Sequence, residues 1–401
     1  MSLHGLSAPA AGATNSVQDG RGVAAIPALS VGRIRAARTL AEFRDLWPRT
    51  DWSGSSASYA FQRVEALAIW CETMGAARGT EPWFVVVEDA AGQPWLGLAL
   101  GIERSRGIRV LTFLDGGVGD YNAPVLFQPD RSSKPVLLGE LVRHLRDVLP
   151  PFDLASFEKM PEFVIDRPNP LVGPDLEATK PWAHSLTLSG TWEQWLSSLP
   201  RATAMRKRRR KLERTGKLRL VFPHDHETRE RMFGFLVEHK RRRYILTRGW
   251  DGFKRPGYLA YYRAMVERLG PASQLCALML DETMIAAHWG MVLEGRFYSL
   301  MPAFDDAWAK QSPGRLINED LIAWSFRNGL SDFDFTVGDE AYKLEYCDRE
   351  MRLYRSEMAI TLRGRMYLAV KTVYLRFKRS KVADWLRVLR VRLRAAVGGE
   401  P

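Results

Sequence analysis

Apolar positions along the chain follow two spacings, and the change from one to the other separates predicted helices from predicted strands. The stretch at 58–74 carries an apolar residue at every third or fourth position, which is typical of an amphipathic helix. Apolar runs at 83–87 and 95–100 flank a short polar turn, which predicts an antiparallel hairpin. The other elements predicted up to residue 188 are strands at 31–36, 108–114, 153–157 and 184–188, a helix that begins at Thr39 and a helix at 134–148.

The same order recurs in the second part of the chain. Its predicted elements are helices at 192–199, 201–214, 227–244 and 316–328 and strands at 218–222, 275–280, 284–293, 296–301 and 332–335. In each part, helices precede an antiparallel meander, and a helix and a strand follow it. The predicted fold is therefore α/β with a mixed sheet, built from two copies of one unit at 31–190 and 191–362. A disordered leader (1–30) and a basic amphipathic helical tail (363–401) are predicted to flank them.

Composition fits a globular protein, and the charge is concentrated in two segments. Of the 401 residues, 46% are apolar and 26% charged, which excludes a mainly disordered or fibrous chain. The formal net charge is +12. Residues 201–219 hold ten basic residues and one acid, and residues 363–401 hold eleven and two, so each segment carries +9 and the remainder carries −6. Such segments predict an anionic partner: a phosphate-bearing cofactor, a nucleic acid or a membrane.

Cysteine usage and hydropathy indicate the compartment. The three cysteines are far apart, which favours a reducing compartment. Residues 1–30 lack the features of a signal peptide, and no window is long and apolar enough to span a membrane. We therefore expect a cytoplasmic protein. The tail is predicted either to pack on the body of the protein or to lie on an anionic membrane, which would place the protein peripherally at the inner face.

Most common catalytic motifs are absent from the sequence. It contains no Walker A loop, no dinucleotide-binding glycine motif, no zinc-peptidase motif and no nucleophile elbow. His224 and His226 flank one aspartate, but no further metal ligands lie nearby in sequence, and we interpret this stretch as a polar turn and predict no metal site. The sequence thus argues against nucleotide hydrolysis, zinc peptidase activity and serine hydrolysis.

The loop between the strand at 296–301 and the helix at 316–328 is a candidate phosphate site. It contains Ser312, Pro313 and Gly314, directly before Arg315. A helix N-terminus presents unpaired backbone N–H groups and the positive end of the helix dipole. Gly314 permits close approach of an anion, and Arg315 adds donors. The alternative is that serine and proline only begin an ordinary helix.

Further motifs accompany this loop. The matching segments are the arginine-rich helix at 201–212, HKRRRY at 239–244, MIAAH at 284–288, SPG at 312–314, DFTVGDEAYK at 334–343 and, in the first unit, FQ at 61–62 and GDYN at 119–122. Together they resemble the GNAT superfamily in its tandem-domain, Fem-like branch. That branch includes the CelD/BcsL-type acetyltransferases associated with exopolysaccharide and cellulose biosynthesis. The resemblance covers about residues 31–362 and implies acyl transfer from acetyl-CoA or another acyl-CoA to an amine or hydroxyl acceptor.

The resemblance also implies roles for individual residues. The implied donor-binding residues are Gln311, Ser312, Pro313, Gly314 and Arg315; the catalytic candidates are Asp339, Glu340, Tyr342, Lys343 and His239; the acceptor-binding candidates are Asp334, Arg242, Asp120, Tyr121 and Asn122. Tyr342 would protonate the leaving thiolate, and the carboxylates would act as bases or bind the acceptor. Asp334 and Lys343 are equally consistent with a structural ion pair, and His239 with packing alone. Residues 120–122 would line a cleft between the units or form a simple turn.

Three functions remain open from the sequence. The first is acyl transfer from acyl-CoA, in cell-envelope polysaccharide or lipid synthesis. The second is Fem-like aminoacyl transfer from charged tRNA, for which the basic helix at 201–214 would bind the RNA backbone. The third is a non-catalytic scaffold of the same fold whose basic segments bind a membrane or nucleic acid.

Overall fold

The computed structural model describes residues 31–51, 54–131 and 135–378. The predicted leader at 1–30 and the last part of the predicted tail, 379–401, lie outside the described residues. The strands are β1 (Ile34–Ala37), β2 (Glu81–Glu88), β3 (Pro94–Ser105), β4 (Ile108–Phe113), β5 (Val125–Leu126), β6 (Leu154–Pro161), β7 (Phe163–Val164), β8 (Arg167–Pro168), β9 (Glu177–Thr187), β10 (Leu218–Val221), β11 (Ser273–Leu280), β12 (Thr283–Leu293), β13 (Arg296–Phe304), β14 (Asp332–Val337) and β15 (Arg349–Ala359). The α-helices are α1 (Val64–Trp70), α2 (Ala76–Arg78), α3 (Leu138–Val148), α4 (Trp192–Ser198), α5 (Ala202–Glu213), α6 (His226–Arg248), α7 (Tyr258–Arg268), α8 (Pro313–Arg327), α9 (Ala341–Tyr346) and α10 (Leu362–Lys378).

Thirteen strands form one mixed sheet that runs through the whole described chain. The main path is β1-β2-β3-β4-β6-β15-β9-β14-β13-β12-β11-β10, with β5 paired to β3, and β7 and β8 form a separate ribbon. Two pairs, β4 with β6 and β13 with β14, are parallel, and the other pairs of the main path are antiparallel. Each parallel pair is joined by a helix, α3 or α8, because parallel neighbours require a crossover connection. The predicted mixed α/β fold is thus confirmed.

The two halves of the sheet repeat each other in reverse order. Four antiparallel strands, a crossover helix and a parallel strand occur as β1–β4, α3 and β6, and again as β10–β13, α8 and β14. The halves meet through two exchanged strands. β9 precedes the second half in sequence but pairs with its β14, and β15 ends the second half but pairs with β6 of the first. The predicted boundary between the two units, at residue 190, therefore separates β9 from β14 and β15, the two strands to which it is hydrogen-bonded.

Several predicted elements differ in detail from the observed ones. The helix predicted to begin at Thr39 is a short 3₁₀ turn, Leu40–Phe43, and the Thr39 side chain makes no capping hydrogen bond. The helix predicted at 58–74 is interrupted because Arg63 adopts an extended conformation, and a π-helical turn, Cys71–Gly75, separates α1 from α2. Helices α7 and α9 and strand β15 were absent from the sequence prediction. No helix of the described residues is both long and apolar enough to cross a membrane.

Candidate functional site

A cavity of about 260 Å³ opens where two parallel strands of the second half separate. β13 and β14 are paired only from Arg296–Asp332 to Tyr298–Asp334. Beyond this point the strands diverge, and the cavity is lined by residues 299–302 of β13 and 335–337 of β14. The separation also exposes backbone groups that a continuous sheet would pair, so the cleft can bind a ligand through the main chain.

The remaining walls come from both halves of the chain. The first half contributes Phe61 and residues 117, 118 and 120, and the second half contributes side chains of α6, α7 and β12. An aromatic wall is formed by Tyr244, Tyr258, Tyr261, Tyr262 and Trp289. Its rings pack edge to face, as Tyr258 with Tyr262 at 5.0 Å and Tyr262 with Trp289 at 5.6 Å between centroids. This packing makes the wall rigid.

Lys240 projects from α6 into the cavity and has an unusual ionisation. Its Nζ lies 3.4 Å from the carbonyl oxygen of Pro302, and the ammonium lies 5.6 Å from the ring centre of Tyr244. Burial lowers the pKa of Lys240 to about 8, and the neighbouring Arg243 and Arg248 add to this effect. The neutral amine, which is the form that accepts a proton, is therefore populated at a lower pH than in an ordinary lysine.

Asp120 reaches the same cavity from the first half. Burial raises the pKa of its carboxyl, while the nearby Lys159 and the Thr336 side chain oppose this effect. Thr336 is buried and has φ of 56°, which is a strained conformation for a β-branched residue. Its amide donates to Asp334 Oδ1 at 2.8 Å, which fixes this conformation. Strained backbone held by its surroundings is often found at functional sites.

The motif after β14 places three more predicted residues on the cavity: Glu340, Tyr342 and Lys343. Lys343 Nζ lies 3.1 Å from Glu340 Oε2 and donates to the carbonyl oxygen of Val337 at 3.0 Å. Burial raises the pKa of Tyr342, so its hydroxyl stays protonated, although the nearby Asn318 side chain of α8 lowers the pKa slightly. Tyr342 therefore lies between the cavity and Asn318, in the second turn of α8.

Asp334, Tyr121 and Asn122 lie beside the cavity rather than in its wall. Asp334 is buried, and its Oδ1 accepts from the Tyr121 hydroxyl at 2.8 Å while Arg296 donates to Oδ2 at 3.3 Å. The Asn122 amide donates to the carbonyl oxygen of Glu158 at 2.8 Å. Asp334 thus forms an ion pair with Arg296 and joins the two halves through Tyr121.

The other predicted residues lie away from the cavity lining. Asp339 Oδ1 accepts from the backbone amide of Trp182 at 3.1 Å, on the side of β9. His239 is buried on α6, where its ring packs at a tilt against that of Phe235, with 4.1 Å between the ring centroids. Arg242 is exposed and pairs with Glu238 at 2.6 Å.

The predicted phosphate loop begins helix α8, three residues earlier than predicted. Ser312 has φ of 56° and makes no side-chain cap, and Pro313 is the first helical residue. A Cβ on Gly314 would lie 3.1 Å from the Phe304 ring, so this helix end packs closely on the end of β13. Arg315 pairs with Glu345 at 3.1 Å. The side-chain oxygen of Gln311 is buried and has no partner within the described residues.

The basic segment at 201–219 folds against this loop. Arg208 of α5 donates to the Ser312 hydroxyl at 3.3 Å, and Arg209 pairs with Asp320 of α8. Basic side chains of α5, among them Arg206 and Arg210, line an open groove of about 780 Å³. Two features that the sequence showed separately, the arginine-rich helix and the helix N-terminus, therefore form one positive surface.

The sequence did not indicate three features of the cavity: the buried amine of Lys240, the strained Thr336 and the aromatic wall. Lys240 is within the HKRRRY segment but was not selected, because nothing in the sequence distinguishes it from its basic neighbours. Thr336 and the aromatic wall were also missed. A cluster of tyrosines at 258, 261 and 262, at helical spacing, was a usable signal for part of that wall.

Comparisons with known proteins agree with the resemblance for the second half. Residues 201–344 match the family model described as an acetyltransferase (GNAT) domain, which confirms the resemblance over that part of the chain. No curated protein sequence matches the chain.

The chain is similar to several solved structures at low sequence identity. The structure of FemX is 10% identical with a TM-score of 0.52, covering 78% of this chain and 95% of that one. A tandem GNAT protein from the clavulanic acid biosynthesis pathway is 11% identical with a TM-score of 0.43, covering 82% and 100%. L-PGS from Bacillus licheniformis is 12% identical with a TM-score of 0.42, covering 79% and 97%.

Proposed function

We propose that this chain, whose residues 201–344 form a GNAT-type acetyltransferase domain, transfers an acyl group from acyl-CoA to an amine or hydroxyl acceptor. One observation carries the proposal: the cavity where β13 and β14 separate is lined by two complementary groups. They are the Lys240 amine, whose pKa burial lowers to about 8, and the protonated phenol of Tyr342. Acyl transfer needs such a pair, because one proton leaves the acceptor and another must reach the leaving thiolate.

The donor would bind with its phosphates at the start of α8. Backbone N–H groups of the first turn and the positive end of the helix dipole favour an anion there. Arg208 lies beside the loop at Ser312, and Arg315 lies in the first turn of the helix. Gln311, Pro313 and Gly314 would complete this site. The pantetheine arm would then run along the separated strands toward the cavity, where Tyr342 lies near Asn318 of α8.

The chemical step follows from the two side chains. The acceptor nitrogen or oxygen attacks the thioester carbonyl, and its proton passes to the neutral amine of Lys240. Once the new C–N or C–O bond has formed, the C–S bond breaks. The leaving thiolate then takes the proton of the Tyr342 hydroxyl. Glu340 and Lys343 would bind the acceptor beside these groups. Asp339 and His239 remain candidates for supporting roles.

Two arginines indicate the kind of acceptor. Arg248 lies 4.8 Å from the ring centre of Tyr244, and Arg255 lies 4.9 Å from that of Trp250, and both line the cavity. Within the described part of the chain, neither forms a salt bridge. We therefore expect an acceptor with an anionic group. An intermediate of envelope polysaccharide synthesis, including exopolysaccharide or cellulose, or of lipid synthesis would satisfy this expectation.

The proposal is tested by donor binding and thiol release. We expect acetyl-CoA or a longer acyl-CoA to raise the melting temperature, and a panel of anionic amines and alcohols to release free CoA. Lys240→Met should slow thiol release by roughly 100-fold and retain donor binding. Lys254→Met, a change on an exposed lysine, should retain both. If no CoA thioester stabilises the protein or yields thiol, the proposal is wrong.

The position of α5 favours a second candidate, aminoacyl transfer from charged tRNA. The basic groove of α5 lies next to the donor loop, where an RNA backbone would be neutralised. This candidate predicts tRNA binding that weakens steeply with salt. A flat salt response would refute it. Binding of RNA or membrane with no transfer from either donor would instead support the non-catalytic scaffold.

We also propose a cytoplasmic location, where acyl-CoA is available. The three cysteines are free thiols, which fits a reducing compartment.

A further inference from the structure

Helix α10 carries an exposed apolar surface that the proposed reaction does not use. Seven of the fourteen large apolar side chains that are exposed in the described residues belong to this helix. Met366, Val370, Val373 and Tyr374 are 62%, 67%, 67% and 56% exposed. Their spacing of three to four residues places them on one face. We call these four residues the α10 face. Scattered exposed apolar residues need no explanation, but a continuous face does.

The other side of α10 holds the helix against the protein. Gly364 is buried close to the carbonyl oxygen of Asp153, and the Thr361 hydroxyl just before the helix lies 2.6 Å from Asp153 Oδ1. Further along, Lys371 donates to Glu357 of β15 at 2.6 Å. Because these contacts fix the opposite side of the helix, the α10 face is presented outward.

The charge of the helix identifies what this face binds. Residues 362–378 include five basic residues and no acid. Arg363, Arg365 and Arg376 are exposed. An apolar face with flanking arginines is the pattern of helices that lie in the plane of an anionic bilayer. At 17 residues the helix is about 25 Å long and too highly charged to span one.

We propose that α10 is an in-plane membrane-binding helix, which inserts the α10 face into an anionic lipid surface while its arginines contact the lipid headgroups. Repulsion between like charges argues against two other partners for the α10 face, a second copy of the chain and residues 379–401. A second copy packed on the same face would bring two basic helices together. Residues 379–401 contain six basic residues and two acids, so their charge has the same sign. This inference is independent of the reaction in the cavity.

Vesicle flotation of the full chain tests the proposal. We expect binding to vesicles of phosphatidylcholine with phosphatidylglycerol, little binding to phosphatidylcholine alone, and weakening with added salt. Val370→Asp with Val373→Asp should weaken binding by roughly 100-fold, because two apolar contacts are lost and two charges would enter the apolar layer. Arg363→Glu with Arg365→Glu should weaken it by roughly tenfold or more.

Leu246→Asp provides the matched control, since Leu246 is 75% exposed on α6 and lies outside α10. This variant should bind vesicles like the unmodified chain. Thermal unfolding of each variant verifies folding, and acyl-CoA binding should be unchanged in all of them. Equal binding to both vesicle types, or full binding by the Val370/Val373 variant, would overturn the proposal. It would also be overturned if these valines instead held a dimer, or if vesicle binding appeared only after truncation at Lys378.

Discussion

The carboxylate of Asp334 provides the sharpest test of how the two halves are held together. It is 1% exposed and accepts hydrogen bonds from the Tyr121 hydroxyl and the Thr336 amide, both at 2.8 Å. Arg296 lies 3.3 Å from its other oxygen. The Tyr121 contact joins residues 213 positions apart in sequence. We predict that removing either partner destabilises the protein and that the two losses are not additive.

The expected magnitudes follow from these contacts. Tyr121→Phe removes one hydrogen bond to a buried charge and keeps the ring packed on Tyr59, so it should lower the free energy of unfolding by about 1.5–3 kcal/mol. Asp334→Ala removes the nearer of two carboxylates from the largely buried Arg296 guanidinium and leaves it only Asp332, at 3.8 Å, so it should cost about 3 kcal/mol. In the Asp334→Ala background the Tyr121 hydroxyl has lost its acceptor. Tyr121→Phe should then cost close to nothing.

Urea unfolding of the four proteins at pH 7, followed by fluorescence and circular dichroism, measures the coupling energy. The transitions seen by the two probes must coincide before free energies are compared. We expect a coupling of about 1.5–3 kcal/mol. Additivity within about 0.5 kcal/mol would refute a hydrogen bond between the two halves. If Asp334→Ala raised the KM for the acceptor and left unfolding unchanged, the residue would bind the acceptor, as the sequence resemblance implies, rather than hold the fold.

Three further predictions concern the donor site, the cavity and the thiols. The rate of acyl transfer should rise with pH up to a pKa near 8, because the protonated form of Lys240 cannot accept a proton. Lys240→Met should lower kcat by roughly 100-fold and remove this rise. An unchanged pH profile in that variant would exclude Lys240 as the base. Arg208→Glu should weaken acyl-CoA binding about tenfold, or 1.4 kcal/mol, with Arg214→Glu, just after the end of α5, as the control. Equal losses of acyl-CoA binding in both variants would refute a specific contact of Arg208 with the donor. Burial raises the pKa of all three thiols, that of Cys71 to about 11. Ellman's reagent at pH 8 should therefore label the three cysteines slowly until the protein is unfolded. Rapid labelling of the folded protein would contradict the packing around them.

Local patterns predicted most of the second half well. The hairpin of β11 and β12 and the basic helix α5 lie close to their predicted positions because periodicity and turn residues act over short distances. Helix α8 begins at Pro313 rather than at 316, because the proline itself starts the helix. Strand β15 was missed for a different reason. It pairs only with β6 and β9, which are distant in sequence, and its charged alternation does not mark a core strand.

The sequence by itself determined the repeated order of elements, the two basic segments and the resemblance of residues 201–344 to a known family, since each is a property of neighbouring residues. Only the tertiary structure decided which residues meet in the cavity. Asp120 and Lys240 come from different halves, and Thr336 adopts a left-handed conformation that its side chain disfavours. The low pKa of Lys240 likewise depends on burial by partners far away in sequence. Burial and strain are set by long-range packing, which a local pattern does not encode.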